Sequence, residues 1–171
     1  MALVRSVNGI WPNIGKECFL AENATVVGDV VLGNDCSVWF NTVIRGDVHY
    51  IRIGRNVNIQ DGVVIHCTYK IAPVNIGSHV SIAHNAIIHG CTIHDRVLVG
   101  MGAIVMDHVE VHSNSIIAAG ALVTKGTVIE ENSVYAGMPA KKIKTIDDKL
   151  SEGEILRIAD SYNMYAGWHS K

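Results

Sequence analysis

An apolar residue recurs every six positions from Ile14 to Ile129, and that beat excludes most folds. The anchors run Ile14, Leu20, Val26, Leu32, Val38 and Ile44, then Ile53, Ile59 and Ile65, then Ile76, Ile82 and Ile88. A last series runs Ile93, Val99, Val105, Val111, Ile117, Val123 and Ile129. Four residues after most anchors stands a smaller residue, such as Cys18, Ala24, Cys36, Thr42, Val63, Ala86, Ala103 or Ser115, with Tyr69 the bulky exception. A helix repeats near 3.6 residues and a simple strand at 2.0. A six-residue beat with one large and one small inward residue belongs to a parallel β-helix. Each hexad forms one side of a triangular coil, and about 18 residues complete a turn. The beat breaks three times. Three residues are added between Ile44 and Ile53, five between Ile65 and Ile76, and one is missing between Ile88 and Ile93. Insertions in solenoids become loops on the working face.

The rest of the composition agrees. Hydrophobic content is 49% with only 6% aromatic, so the apolar mass is Val, Ile, Leu and Ala, which suit a pleated core. Sixteen glycines supply turns. A net charge of −2 with no basic block excludes a nucleic-acid or anionic-membrane surface. No apolar run reaches the length of a membrane span, and the N-terminus has no signal-peptide core. Four cysteines without paired spacing read as reduced thiols of a cytoplasmic protein. The chain divides into a lead-in (1–13), a β-helix (14–135) and an exit segment with a C-terminal helix (136–171). In the last part, 141–146 reads as an extended strand. Ser151-Glu-Gly-Glu154 reads as a capping box opening a helix over 151–167.

The beat also says where three histidines point. Ile44, Ile65 and Ile88 are three hexads apart once the loops are removed, so Arg45, His66 and His89 stack on one side of the coil. Rungs are about 4.8 Å apart, close enough for two outward imidazoles to share a metal. His84 lies two residues past Ile82, on a different side and one rung above Asp61. It can meet His66 and His89 only on another copy of the chain. The register therefore predicts a cyclic assembly around a threefold axis, a homotrimer whose metal sites sit between subunits. Three neutral imidazoles with an open position for water suit zinc, with Fe(II) or Co(II) also fitting. Arg45 and Asp61 are placed to pair across the interface. Asp47 can orient a histidine or partner an arginine, and Gln60 can hold a water or a substrate oxygen, with Asn58 a weaker candidate. Cys67 reads as a bystander thiol. His49, His79, His94, His108, His112 and His169 read as polar surface.

Several motifs then coincide: Ile44-Arg-Gly-Asp47, Asn58-Ile-Gln-Asp-Gly62, His66, Ile82-Ala-His84, Ile88-His-Gly-Cys91 and Gly137-Met-Pro-Ala140. Over about residues 10–165 the chain resembles the γ-class carbonic anhydrase-like proteins of the hexapeptide-repeat group. The resemblance implies a left-handed β-helix and a homotrimer with metal on His66, His84 and His89. It also implies an Arg45–Asp61 interface pair, Gln60 as the residue orienting the metal-bound water, and Tyr162 near the site. The implied chemistry is hydroxide delivered from the metal to CO2, giving bicarbonate. This sequence departs from the archetypal members at Val48, where they carry glutamate, and in the loop 68–74, which has no carboxylate. Hydration without that proton shuttle is expected to be slow unless buffer substitutes. An acyl-CoA thioesterase using the same site is the alternative, a non-catalytic metal-binding trimer a third, and a hexapeptide acyltransferase with a catalytic histidine and no metal a fourth.

Overall fold

A computed structural model describes residues 1–169. It is a left-handed parallel β-helix of about seven turns, closed by a C-terminal helical segment. The anchors define its three sides by register. On the first side Val26, Ile44, Ile65, Ile88, Val105 and Val123 pair in succession. On the second, Ile14, Leu32, Ile53, Ile76, Ile93, Val111 and Ile129 do so. The third carries Leu20, Val38, Ile59, Ile82, Val99 and Ile117. All these anchors are buried except Ile14 and Leu20, which sit at the open N-terminal end and pack against the core from its rim. The series extends one hexad beyond its sequence reading, because Tyr135 is buried and in register with Ile117. The lead-in also contributes a rung, Leu3–Arg5, paired parallel with Thr25–Val27.

The smaller inward position fails where the beat breaks. Counted four past the anchor it falls on Val48, Tyr69 and Thr92, none of which is buried. Ile51, Val74 and Cys91, each two residues before the next anchor, fill that column instead. The corner is set by the rung that follows it, so an insertion moves the count and leaves the column intact. The first insertion is also not a loop. Val43–Ile53 is one continuous strand that turns from the first side onto the second. The second insertion does form a hairpin, bridged between Thr68 and Ala72, with Tyr69 and Ile71 exposed at its tip.

Two features let rungs stack this closely. One column of corners uses left-handed backbone at Asp35, Asn56, His79, Arg96 and Asn114, with φ between 53° and 60°. Asn and Asp tolerate that region better than most residues. Next to an anchor, Gly33, Gly54 and Gly77 stack so tightly that a Cβ on Gly54 would lie 2.6 Å from the Gly77 oxygen.

After Ala136 the chain reverses, and Lys141–Thr145 pairs antiparallel with Ser133–Ala136. The helical segment starts earlier than its sequence reading. Asp147 Oδ1 accepts from the Leu150 amide at 2.8 Å, so Asp147 is the cap and Ser151 lies inside the first turns. A π-helical stretch, Ser151–Leu156, leads into the α-helix Arg157–His169. That helix lies along the third side. Asn56 Nδ2 donates to Asp160 Oδ1 and Asn163 Nδ2 to Asn56 Oδ1, both at 2.9 Å, and Tyr162 packs edge-on to Trp39. No helix among the described residues is long and apolar enough to cross a membrane.

Candidate metal centre

Strand alternation buries Ile65 and Ile88 and turns the next residue of each strand outward. His66 and His89 are thus adjacent rungs of the first side, directly in register. Their ring centroids are 5.2 Å apart, and His66 Nδ1 faces His89 Nε2 at 3.2 Å. The outer nitrogen of each ring meets a carboxylate. His66 Nε2 is 3.1 Å from Asp47 Oδ1, and His89 Nδ1 is 2.5 Å from Asp107 Oδ1. A carboxylate accepts an N–H, so in the neutral rings both remaining lone pairs point into the same gap. Such a gap is repulsive until a cation or proton fills it. Tetrahedral Zn–N bonds of about 2.0–2.1 Å put two ligand nitrogens about 3.3 Å apart, close to the observed separation. Burial, with Arg45 and His89 adding to it against Asp47, lowers the His66 pKa and favours the neutral imidazole a metal requires.

Both carboxylates are themselves held. Burial works against the Asp47 charge, but hydrogen bonds from Arg45, at 2.6 Å, and from His66 keep its pKa below the ordinary value. Asp47 therefore does both things its sequence position allowed. Asp107 is likewise lowered against burial, by Thr68, whose hydroxyl donates to Oδ2 at 2.6 Å, and by His89. Sequence reasoning missed Asp107 and Thr68. The signal was Gly90, right after His89: a Cβ there would collide with Asp107 Oδ1, so glycine gives that carboxylate its path to the ring.

His84 lies on the third side, and its Nδ1 is 2.9 Å from Asp61 Oδ2. Among the described residues of one chain, no third histidine completes a cluster with His66 and His89. Arg45 and Asp61 each have an intrachain partner, Asp47 and His84. Next to Asp61, Gln60 is buried with its Nε2 donating to Asn58 Oδ1 at 2.9 Å, and Asn58 Nδ2 donates to Ser81 Oγ at 2.7 Å. That leaves the Gln60 side-chain carbonyl and its second Nε2 proton as the groups it can offer. Tyr162 joins this side from the helix. Burial, then the Asp61 charge and Tyr165, push its phenol up to about 12. Cys67 is buried, desolvation raises its thiol to about 11, and its Sγ donates to the Tyr50 carbonyl at 3.4 Å.

The comparisons agree with this architecture. A family profile for the bacterial transferase hexapeptide (six repeats) matches residues 12–46 and 90–125. Protein YrdA of Escherichia coli is 39% identical over 97% of this chain and 91% of its own length. A carbonic anhydrase of Geobacillus kaustophilus is 43% identical over 91% of this chain and 85% of its own. Among solved structures, a hexapeptide transferase family protein from Anaplasma phagocytophilum superposes with a TM-score of 0.91 at 35% identity, covering 96% of each chain. Repeat, register and relatives together make the chain a member of the hexapeptide-repeat family of γ-carbonic anhydrase-like proteins.

Proposed function

We propose that the protein is a metal-dependent hydratase of CO2, with each metal centre shared between neighbouring copies in a trimer. One observation carries this reading. Each of the three histidines has one ring nitrogen against its own carboxylate: His66 on Asp47 at 3.1 Å, His84 on Asp61 at 2.9 Å and His89 on Asp107 at 2.5 Å. Metal-binding imidazoles are oriented in this way, whereas surface histidines have no such need. His66 and His89 would come from one chain and His84 from the next. Zinc suits the set best, and ferrous iron or cobalt would fit.

A divalent metal held there supplies Lewis acidity that lets water lose a proton near neutral pH. The chain's own residues do the rest. Asp47 and Asp107 fix the tautomers of His66 and His89, and Asp61 lies beside His84 Nδ1 as its ion-pair partner. The Gln60 carbonyl, arriving on the same side as His84, orients the water to be deprotonated. Arg45 keeps Asp47 ionised and stands where a neighbour's Asp61 can meet it. Tyr162 shields that side from bulk water. Val48 is half-buried and the hairpin 68–74 bears no carboxylate, so the released proton leaves through buffer. The Geobacillus relative, itself called a carbonic anhydrase, supports CO2 as the substrate.

A second reading keeps the metal and changes the substrate to an acyl thioester. The exposed Tyr69 and Ile71, three and five residues past His66, favour it by offering an apolar contact. Stopped-flow CO2 hydration by Zn(II)- or Fe(II)-loaded protein separates the two. The expected result is a metal-dependent rate that rises with buffer concentration and disappears in His89→Ala. Metal-loaded protein with no hydration and with hydrolysis of an acyl-CoA panel would establish the second reading. The shared centre is tested by mixing. Co-refolded His84→Ala and His89→Ala chains should regain metal-dependent hydration that neither has alone, because mixed trimers rebuild complete sites. No recovery in mixed trimers would refute the sharing.

A further inference from the structure

The second side carries another histidine pair. His94 and His112 each stand one residue past an anchor, Ile93 and Val111, on consecutive rungs. Read from sequence they are ordinary polar surface. In the structure their rings stack 5.2 Å apart and within 5° of parallel. Glu110 precedes Val111, so it leaves the strand on the same outer face as His112. Its Oε1 lies 3.1 Å from His94 Nε2 and 3.9 Å from His112 Nε2. One donor atom from each of the three residues lies within 4.8 Å of the other two.

This is more than a hydrogen-bonded pair. A single carboxylate oxygen faces the Nε2 of both rings, so Glu110 cannot be fully matched by one proton. Glu110 lies in a paired strand, His94 and His112 directly follow strand ends with their amides donating to the Val111 and Ile129 oxygens, and the rings are exposed enough to turn. Closing the widest donor gap to the spacing of metal ligands needs side-chain rotation only. The neighbouring surface is also open. Below His94 the same column holds Gly77 and Gly54, and their missing side chains leave a groove of about 430 Å³ that ends on His94 and is edged by Arg52 and Asn75. Glu130, the next outward residue of that column, is taken by Lys142 at 2.6 Å.

We infer that His94, Glu110 and His112 form a second divalent-metal site, a two-histidine, one-carboxylate set of the zinc class, with its open coordination position toward the groove. None of its residues belongs to the first centre, which uses the other two sides. A water or small anion in the groove would complete the coordination.

Zn(II) calorimetry and Co(II) visible absorption on metal-free protein test this. Wild type should bind two equivalents per chain, and His112→Ala should bind one. The His84→Ala/His89→Ala protein should keep one equivalent, and Glu110→Gln in that background should weaken it at least about tenfold, the least that loss of even an outer-shell partner costs. All three side chains are at the surface, and circular dichroism checks that the coil is intact. Two equivalents in His94→Ala/His112→Ala, or only one in wild type that disappears in His84→Ala/His89→Ala, would overturn the inference.

Discussion

Replacing Asp107 by alanine strikes at the reasoning behind the first centre. Its Oδ1 lies 2.5 Å from His89 Nδ1, and Thr68 holds its other oxygen at 2.6 Å. Without that acceptor the His89 proton is free to sit on Nε2, the atom that faces His66. The ring must then shift its tautomer or turn before it can ligate. Outer partners of ligating histidines contribute about 10–100-fold in metal affinity, or roughly 1.4–2.7 kcal/mol. The upper half of that range is expected here, because Asp107 is ionised and already fixed by a second hydrogen bond. Asp107→Asn keeps an oxygen but loses the charge, so its loss should be nearer tenfold. The metal-free protein should also lose about 1.5 kcal/mol of stability, the lower end for a hydrogen bond to a charged group, since His89 is partly solvated. Competition for Zn(II) against a chromophoric chelator near neutral pH gives the affinities, and thermal unfolding gives the stability. Equal zinc affinity in wild type, Asp107→Asn and Asp107→Ala would refute the tautomer argument.

Three further outcomes are expected. Gly54→Ala drives a Cβ to 2.6 Å from the Gly77 oxygen and should cost about 3 kcal/mol, lowering the melting midpoint by about 6–12 °C; an unchanged midpoint would mean the rungs part easily. Ile65→Ala empties a fully buried slot between Ile44 and Ile88 and should cost about 2–5 kcal/mol in denaturant unfolding, with the denaturant dependence unchanged. The Tyr162 phenol, raised to about 12, favours the neutral form in the folded state. Its contribution is complete below the unfolded value of about 10 and is lost as pH rises through about 12. Alkaline titration of tyrosinate absorbance should show one late tyrosine that Tyr162→Phe removes, and identical curves for the two proteins would contradict the packing.

Register was legible because it depends only on counting. Ile44, Ile65 and Ile88 could be aligned by removing loop residues, and that put His66 beside His89 and His84 elsewhere before any coordinate was known. What counting could not reach were contacts made by side chains of variable reach. Asp107 lies 18 residues past His89 with nothing in its own hexad to mark it, and only the missing Cβ of Gly90 explains how its carboxylate arrives. His94 and His112 each follow an anchor yet read as polar surface. Their meaning needed Glu110, which stands two residues before His112 but meets His94 only across the rung. The small inward column failed at Val48, Tyr69 and Thr92 for a related reason, since a corner takes its geometry from the rung it enters.

The reversed strand Lys141–Thr145 has a consequence for the molecule in a crowded solution. A coil built from stacked parallel rungs is, at its last turn, a template on which another molecule could continue. Here the third side ends in a strand of opposite direction whose residues are all exposed and whose Lys141 and Lys144 add positive charge beside the Lys142–Glu130 pair. On the adjoining side, Leu122 gives its amide to the Gly137 oxygen and its carbonyl to the Ala140 amide. A second copy approaching end-on meets spent hydrogen bonds on that side and, on the third, an edge strand running the other way and carrying like charge. The same five residues that carry the chain out to its helix should then hinder growth into a fibre, and fibre formation on charge reversal at those lysines is the expected sign.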